Sequence, residues 1–135
     1  MATINLYWGT YQPIDIYVKI LNELGSYEAV DISAEEGIEI FLYAKKALKD
    51  TDAQAIFTLS TVEGNITRKE QITDTGEAIA EIFPADTSSL RPDEKTELFY
   101  DVRMIKTEGE VVKPYRVDGG KINVQPVVVR ELTGA

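Results

Sequence analysis

Hydrophobic and polar positions alternate with a period of two along much of this chain. The clearest run is Glu97-Leu98-Phe99-Tyr100-Asp101-Val102-Arg103-Met104-Ile105. Leu98, Tyr100, Val102 and Met104 fall on one side of it, and Glu97, Asp101 and Arg103 fall on the other. That alternation is the pattern of a strand with one buried face. Ile14, Ile16, Val18 and Ile20 alternate with Asp15, Tyr17 and Lys19 in the same way, and Val30 with Ile32 reads as a short second strand. Ala55, Phe57 and Leu59 give another strand, Thr67 to Thr73 a polar one around Ile72, and 78–83 a further one. Between 78–83 and the long run, Ala85-Asp86-Thr87-Ser88-Ser89-Leu90-Arg91-Pro92 reads as one helical turn near 86–90 followed by a proline turn, a means of passing from one sheet to another. Asp86 is the expected N-cap of that turn.

Residues 34–49 admit two readings. Ser33 with Glu36 has the form of a capping box, and Ala44-Lys45-Lys46-Ala47-Leu48-Lys49 suits a helix. Against this, Ile38, Ile40, Leu42 and Ala44 alternate, with Phe41 and Tyr43 between them, as in a central strand covered on both faces. The strand reading is favoured over the helix. Near the C-terminus, Glu108-Gly109-Glu110 and Asp118-Gly119-Gly120 both read as hairpin turns, and Ile122, Val124, Val127 and Val129 finish the pattern, with Pro126 marking an edge or bulge. Turn signals recur about every dozen residues, which predicts an all-β antiparallel sandwich of about seven to nine strands. Residues 14–135 form that domain. Residues 1–13, with Tyr7, Trp8 and Tyr11, form an N-terminal arm or short strand.

Composition narrows the function. A chain of 135 residues is one domain by its length. Its net charge of -9 disfavours nucleic acid and anionic membranes as partners, because both reward clustered Lys and Arg. The chain has no cysteine and no histidine, so Ser-His-Asp and Cys-His nucleophilic sites and the usual zinc ligand sets are excluded. No catalytic residue and no cofactor is expected. Asp50, Asp52 and Asp86 are carboxylates in turns and are the candidates for a calcium site, but no EF-hand spacing accompanies them, and the turn-forming reading is preferred. Tyr7, Trp8 and Tyr11 are the candidate interface. They could dock on a neighbouring subunit, or stack on sugar rings as a carbohydrate-binding platform; docking is the preferred reading. No basic segment followed by an apolar core opens the chain, so no signal peptide is expected.

Two stretches carry a resemblance to a known group. Gly37-Ile38-Glu39-Ile40-Phe41-Leu42-Tyr43-Ala44-Lys45-Lys46-Ala47-Leu48-Lys49-Asp50-Thr51-Asp52-Ala53-Gln54-Ala55 resembles a segment of small phage and prophage β-sandwich proteins, in which a strand ends in an Ala-Lys basic run and an Asp-x-Asp-Ala turn. Ala85 to Pro92, followed by Tyr100-Asp101-Val102, resembles the Asp-Thr-x-x-Leu-x-Pro turn and Tyr-Asp-Val/Ile strand of the same proteins. Those proteins are similar to the N-terminal Ig-like domain of upper baseplate proteins of tailed phages. The likeness runs over roughly residues 14 to 130, and departs where Asp93-Glu94-Lys95 follows Pro92 in place of the usual Pro-Gly. It implies an Ig-like fold and a structural, non-enzymatic role in a phage tail or baseplate. The partners would be other tail proteins or further copies of the chain, and the location the virion after synthesis in the bacterial cytoplasm.

Overall fold

The computed structural model describes residues 2–127. It is an all-β, Ig-like sandwich whose described residues form ten strands. They are β1 (Ala2–Tyr7), β2 (Gln12–Tyr17), β3 (Lys19–Leu21), β4 (Tyr27–Ala29), β5 (Ile38–Lys45), β6 (Phe57–Ser60), β7 (Ile66–Arg68), β8 (Glu77–Ile82), β9 (Thr96–Glu108) and β10 (Val111–Gln125). The larger sheet runs β1-β10-β9-β5-β6, the smaller runs β2-β8-β7, and β3 with β4 makes a separate two-stranded ribbon. Every pairing is antiparallel except that of β1, which lies parallel to β10 from Ala2↔Gly120 to Tyr7↔Gln125. The first residues therefore belong to the larger sheet, with Leu6 in the core.

The core is made by the alternation read along the chain. Leu98, Tyr100, Val102 and Met104 of β9 are buried, as are Ile38, Ile40, Leu42 and Ala44 of β5 and Ile122 and Val124 of β10. From the smaller sheet they meet Ile16, Ile66, Ala78, Ala80 and Ile82. Residues 38–45 are a strand, and the helix-like features around them are local: Ala34–Glu36 is a single 3-10 turn closed by Gly37 at φ 72°. The second helical signal is a 3-10 turn at Pro84–Thr87, which joins β8 of the smaller sheet to β9 of the larger. Its N-cap is Phe83, and the carboxylate of Asp86 sits inside the turn, accepting the Phe83 N–H at 2.7 Å. Asp86 is thus not the N-cap itself. Phe83 is still extended, and Pro84 after it fits the first helical position.

Four further expectations are corrected. The strand partner of β3 is Tyr27–Ala29, upstream of Val30 and Ile32. Ile32 is fully buried, but side chains satisfy its backbone: its N–H donates to Gln71 Oε1 at 3.1 Å, and its carbonyl accepts from Arg68 Nε at 2.7 Å. Ile72 stands in a turn, 90% exposed, because β7 ends at Arg68. Asp118-Gly119-Gly120 is no hairpin. Strand β10 continues through it, with a bulge between Arg116 and Asp118 that absorbs Val117. The Arg116 guanidinium lies over Gly119, where a Cβ would displace that flexible end and approach the Tyr100 carbonyl oxygen to 3.2 Å; the glycine does not turn the backbone. Pro126 simply follows the end of β10, and Val129 lies outside the described residues.

Candidate functional site

The outer face of the larger sheet carries a concavity of about 430 Å3, lined by Lys45, Leu48, Phe99, Asp101, Arg103 and Arg116. Strand pairing brings these residues together. Lys45 stands opposite Phe99, Tyr43 opposite Asp101, and Arg103 opposite Arg116. Two like charges directly across an antiparallel pair repel. Here Asp101 lies between them, accepting from Arg103 Nε at 3.0 Å and from Arg116 Nε at 2.5 Å. The bulge at Val117 twists the strand beside this pair, a device that re-aims side chains.

Asp52 binds the other side of the cluster. It accepts from Lys45 Nζ at 2.8 Å and from Arg103 Nη1 at 2.7 Å. The hydrogen bond from Lys45, with Arg103 adding to it against the opposing effect of burial, holds the Asp52 carboxyl below the usual range. The same contacts push Arg103 upward, led by its hydrogen bond to Asp52. Arg103 also lies over the Tyr43 ring, 4.8 Å from its centre, and Tyr43 stacks with Phe41 at 6.0 Å. Burial, then the Asp52 charge, raises the Tyr43 hydroxyl.

Three cations against two carboxylates leave this face locally positive on a strongly acidic chain. Arg116 is the least committed of the three. Among the described residues only its Nε is hydrogen-bonded, and its side chain is 64% exposed.

The calcium candidates do not converge. Asp52 is taken up by two cations, the Asp50 carboxylate accepts the Ala47 N–H at 3.1 Å, and Asp86 serves its own turn. Among the described residues no group of three or more acidic side chains is placed to hold a metal ion.

Tyr7, Trp8 and Tyr11 do not share one surface. Trp8 continues the inward alternation of Ile4 and Leu6, packs against the core, and donates its indole N–H to the Leu90 carbonyl at 2.9 Å. Tyr7 points out from the sheet and is exposed. Tyr11 stands on the neighbouring segment, its ring 5.4 Å from Phe83 and tilted by 50°, its hydroxyl donating to Glu81 Oε2 at 2.6 Å. That hydrogen bond raises the Tyr11 hydroxyl. Flat stacking on a sugar wants rings in one plane, and these three do not provide it.

Two hairpins expose apolar side chains. Among the described residues the β3–β4 ribbon pairs only with itself, and it exposes Leu21, Leu24 and Tyr27, with Leu24 at 91%. Its loop is held by Asn22, whose Oδ1 accepts the N–H groups of Leu24 at 2.9 Å and Ser26 at 3.0 Å. The end of the β9–β10 hairpin runs past the last β5 partner, Lys106, and exposes Val111 and Val112, with Tyr115 exposed nearer its base, opposite Met104. Gly109 at φ 61° opens its two-residue turn. Along this end, β10 has no strand on its other side among the described residues. The alternation of the ladder turns position 114 toward that open edge, and proline there removes a donor, which blunts edge pairing.

No family model and no curated protein matches the chain. Among solved structures, it is similar to AggA, the major subunit of aggregative adherence fimbriae type I from Escherichia coli. The two are 12% identical, the match covers 94% of this chain and 91% of that one, and the TM-score is 0.29, a likeness that carries no argument.

Proposed function

We propose that the protein is a non-enzymatic assembly module that acts by binding other proteins, in the setting its sequence resembles, a phage or prophage tail or baseplate. The observation that carries the binding role is this pair of hairpins. Leu21, Leu24 and Tyr27 on one, and Val111, Val112 and Tyr115 on the other, are apolar side chains exposed to water on ribbons whose inward residues, Ile20 among them, pack against the core. Apolar surface presented in this way marks contact with another protein. The tail setting rests on the resemblance of residues 37–55 and 85–102 alone. The binding elements are the hairpins and the outer face. Trp8 belongs to the fold, and of the three aromatic candidates Tyr7 and Tyr11 remain on the surface.

The test is direct. Bacteria carrying the gene are induced, particles are purified on a density gradient, and the tail fractions are probed for this chain with an antibody. The chain should co-sediment with tails in a fixed ratio to another tail protein. Its absence from the particles overturns the tail setting.

A further inference from the structure

We propose that the β3–β4 hairpin of one copy seats in the outer-face concavity of a second copy, so that the chain associates head to tail. This rests on the assembly reading and names the partner and the two surfaces. Charge is strongly segregated in this protein. Between Lys19 and Lys45 there is no Lys or Arg, while Glu23, Glu28, Asp31, Glu35, Glu36 and Glu39 all fall there. The hairpin at the head of that stretch ends in Glu23-Leu24, an acidic group beside the most exposed apolar side chain among the described residues. The concavity has the reverse character. Lys45, Arg103 and Arg116 give it positive charge, Leu48 and Phe99 give it apolar walls, and its 430 Å3 lies within the range of sites that enclose a small group.

Chemistry matches the two surfaces residue by residue. Leu48 is 78% exposed, and apolar contact with Leu24 would remove both from water. The terminal nitrogens of Arg116, without hydrogen bonds among the described residues, present a fork to a carboxylate such as that of Glu23. Among the described residues no ion pair joins the hairpin to this face within one copy, so each copy carries both halves of the contact unused. Hairpin and concavity are different patches, which makes the contact heterologous. Such contacts extend into open chains unless the rotation closes a ring. Being partly ionic and at the surface, the contact weakens as salt rises.

Sedimentation velocity on the full chain over a concentration series, at low and at high salt, tests this with two variants. Glu23→Lys/Leu24→Ser disables the hairpin and keeps the concavity, and Arg116→Glu does the reverse. Glu23 and Leu24 are exposed, so the hairpin variant should keep the wild-type melting temperature. Arg116→Glu also removes the ion pair to Asp101, so Arg116→Gln, which sets no new carboxylate against Asp101, is run beside it and should show the same weakened association. The wild type should associate with rising concentration, and each variant alone should do so at least about tenfold more weakly. An equal mixture of the two should give a dimer and nothing larger, since one intact hairpin meets one intact concavity. A wild type that stays monomeric throughout overturns the proposal, and so does association unaffected by either variant. In both cases, finding the chain in purified tails leaves the assembly role standing with another partner or another surface.

Discussion

Leu98, Tyr100, Val102 and Met104 leave β9 on one side, and Phe99, Asp101 and Arg103 leave it on the other, and the two faces are held by different forces. The inner residues are at most 5% exposed and are packed among aliphatic neighbours from both sheets, where each lost atom opens a cavity. The outer residues are partly exposed and held by paired charges and by Arg103 lying over the Tyr43 ring, contacts that exchange readily with solvent and contribute little each. One face therefore fixes the fold, and the other is free to vary in what it contacts.

The largest effect that would break this comparison is expected at Tyr100, the aromatic that follows the crossing between sheets. Burial raises its hydroxyl, as expected for a ring inside the sandwich. Tyr100→Ala should destabilise by about 3–5 kcal/mol in urea denaturation. A loss below about 1 kcal/mol would show that the inner face does not carry the fold.

Next comes the backbone device beneath the protruding hairpin. Gly37 has φ 72°, and a Cβ there would lie 2.5 Å from the Thr107 carbonyl oxygen, while its own carbonyl accepts the Thr107 N–H at 2.9 Å. Gly37→Ala combines a left-handed conformation with a backbone clash and should cost about 1–3 kcal/mol. Hydrogen exchange would show the loss centred on residues near Thr107. A neutral result would mean that the base of the hairpin relaxes freely. A smaller effect is expected at Trp8→Phe, which keeps the apolar ring and removes the hydrogen bond to Leu90, for a loss of about 1 kcal/mol in the same assay.

Much of the inner face was legible because a period of two needs no partner to be seen. Strands β5 and β9 follow from residues adjacent in sequence, and so does the crossing, although its helical turn lies at 84–87 rather than near 86–90. What stayed hidden depends on pairing across long separations. Nothing local tells Ala2–Tyr7 that its partner is β10, more than a hundred residues on, so it reads equally as an arm. Asp118-Gly119-Gly120 has turn chemistry, yet its pairing with Val102, Asp101 and Tyr100 carries it through as strand. The outer concavity was missed for the same reason. Lys45, Asp52, Asp101, Arg103 and Arg116 look like scattered surface charges until the register sets Arg103 against Arg116. The local signal for it, an arginine on each of two strands flanking the Gly109 turn, is common to many hairpins.

The smallest predicted effect concerns the outer face itself and is read through pH. Asp52 has its carboxyl held below the usual range in the folded state by Lys45 and Arg103, so its contribution to stability is present above the unfolded pKa of about 4 and is lost as pH falls through the folded value. With the Asp52 side chain 45% exposed, solvent screens the pair, and Asp52→Asn should cost about 1 kcal/mol or less at neutral pH. Most of that comes from Lys45, whose side chain is only 10% exposed and would keep only the Asp50 carbonyl, at 3.0 Å, for its charge. Urea denaturation of both proteins from neutral to strongly acid pH should show the two curves converging below about pH 4, because the wild type loses there what the variant never had. A gap that persists unchanged into acid would mean that Asp52 acts through packing rather than charge, and the outer face would then resemble the inner one more closely than its exposure suggests.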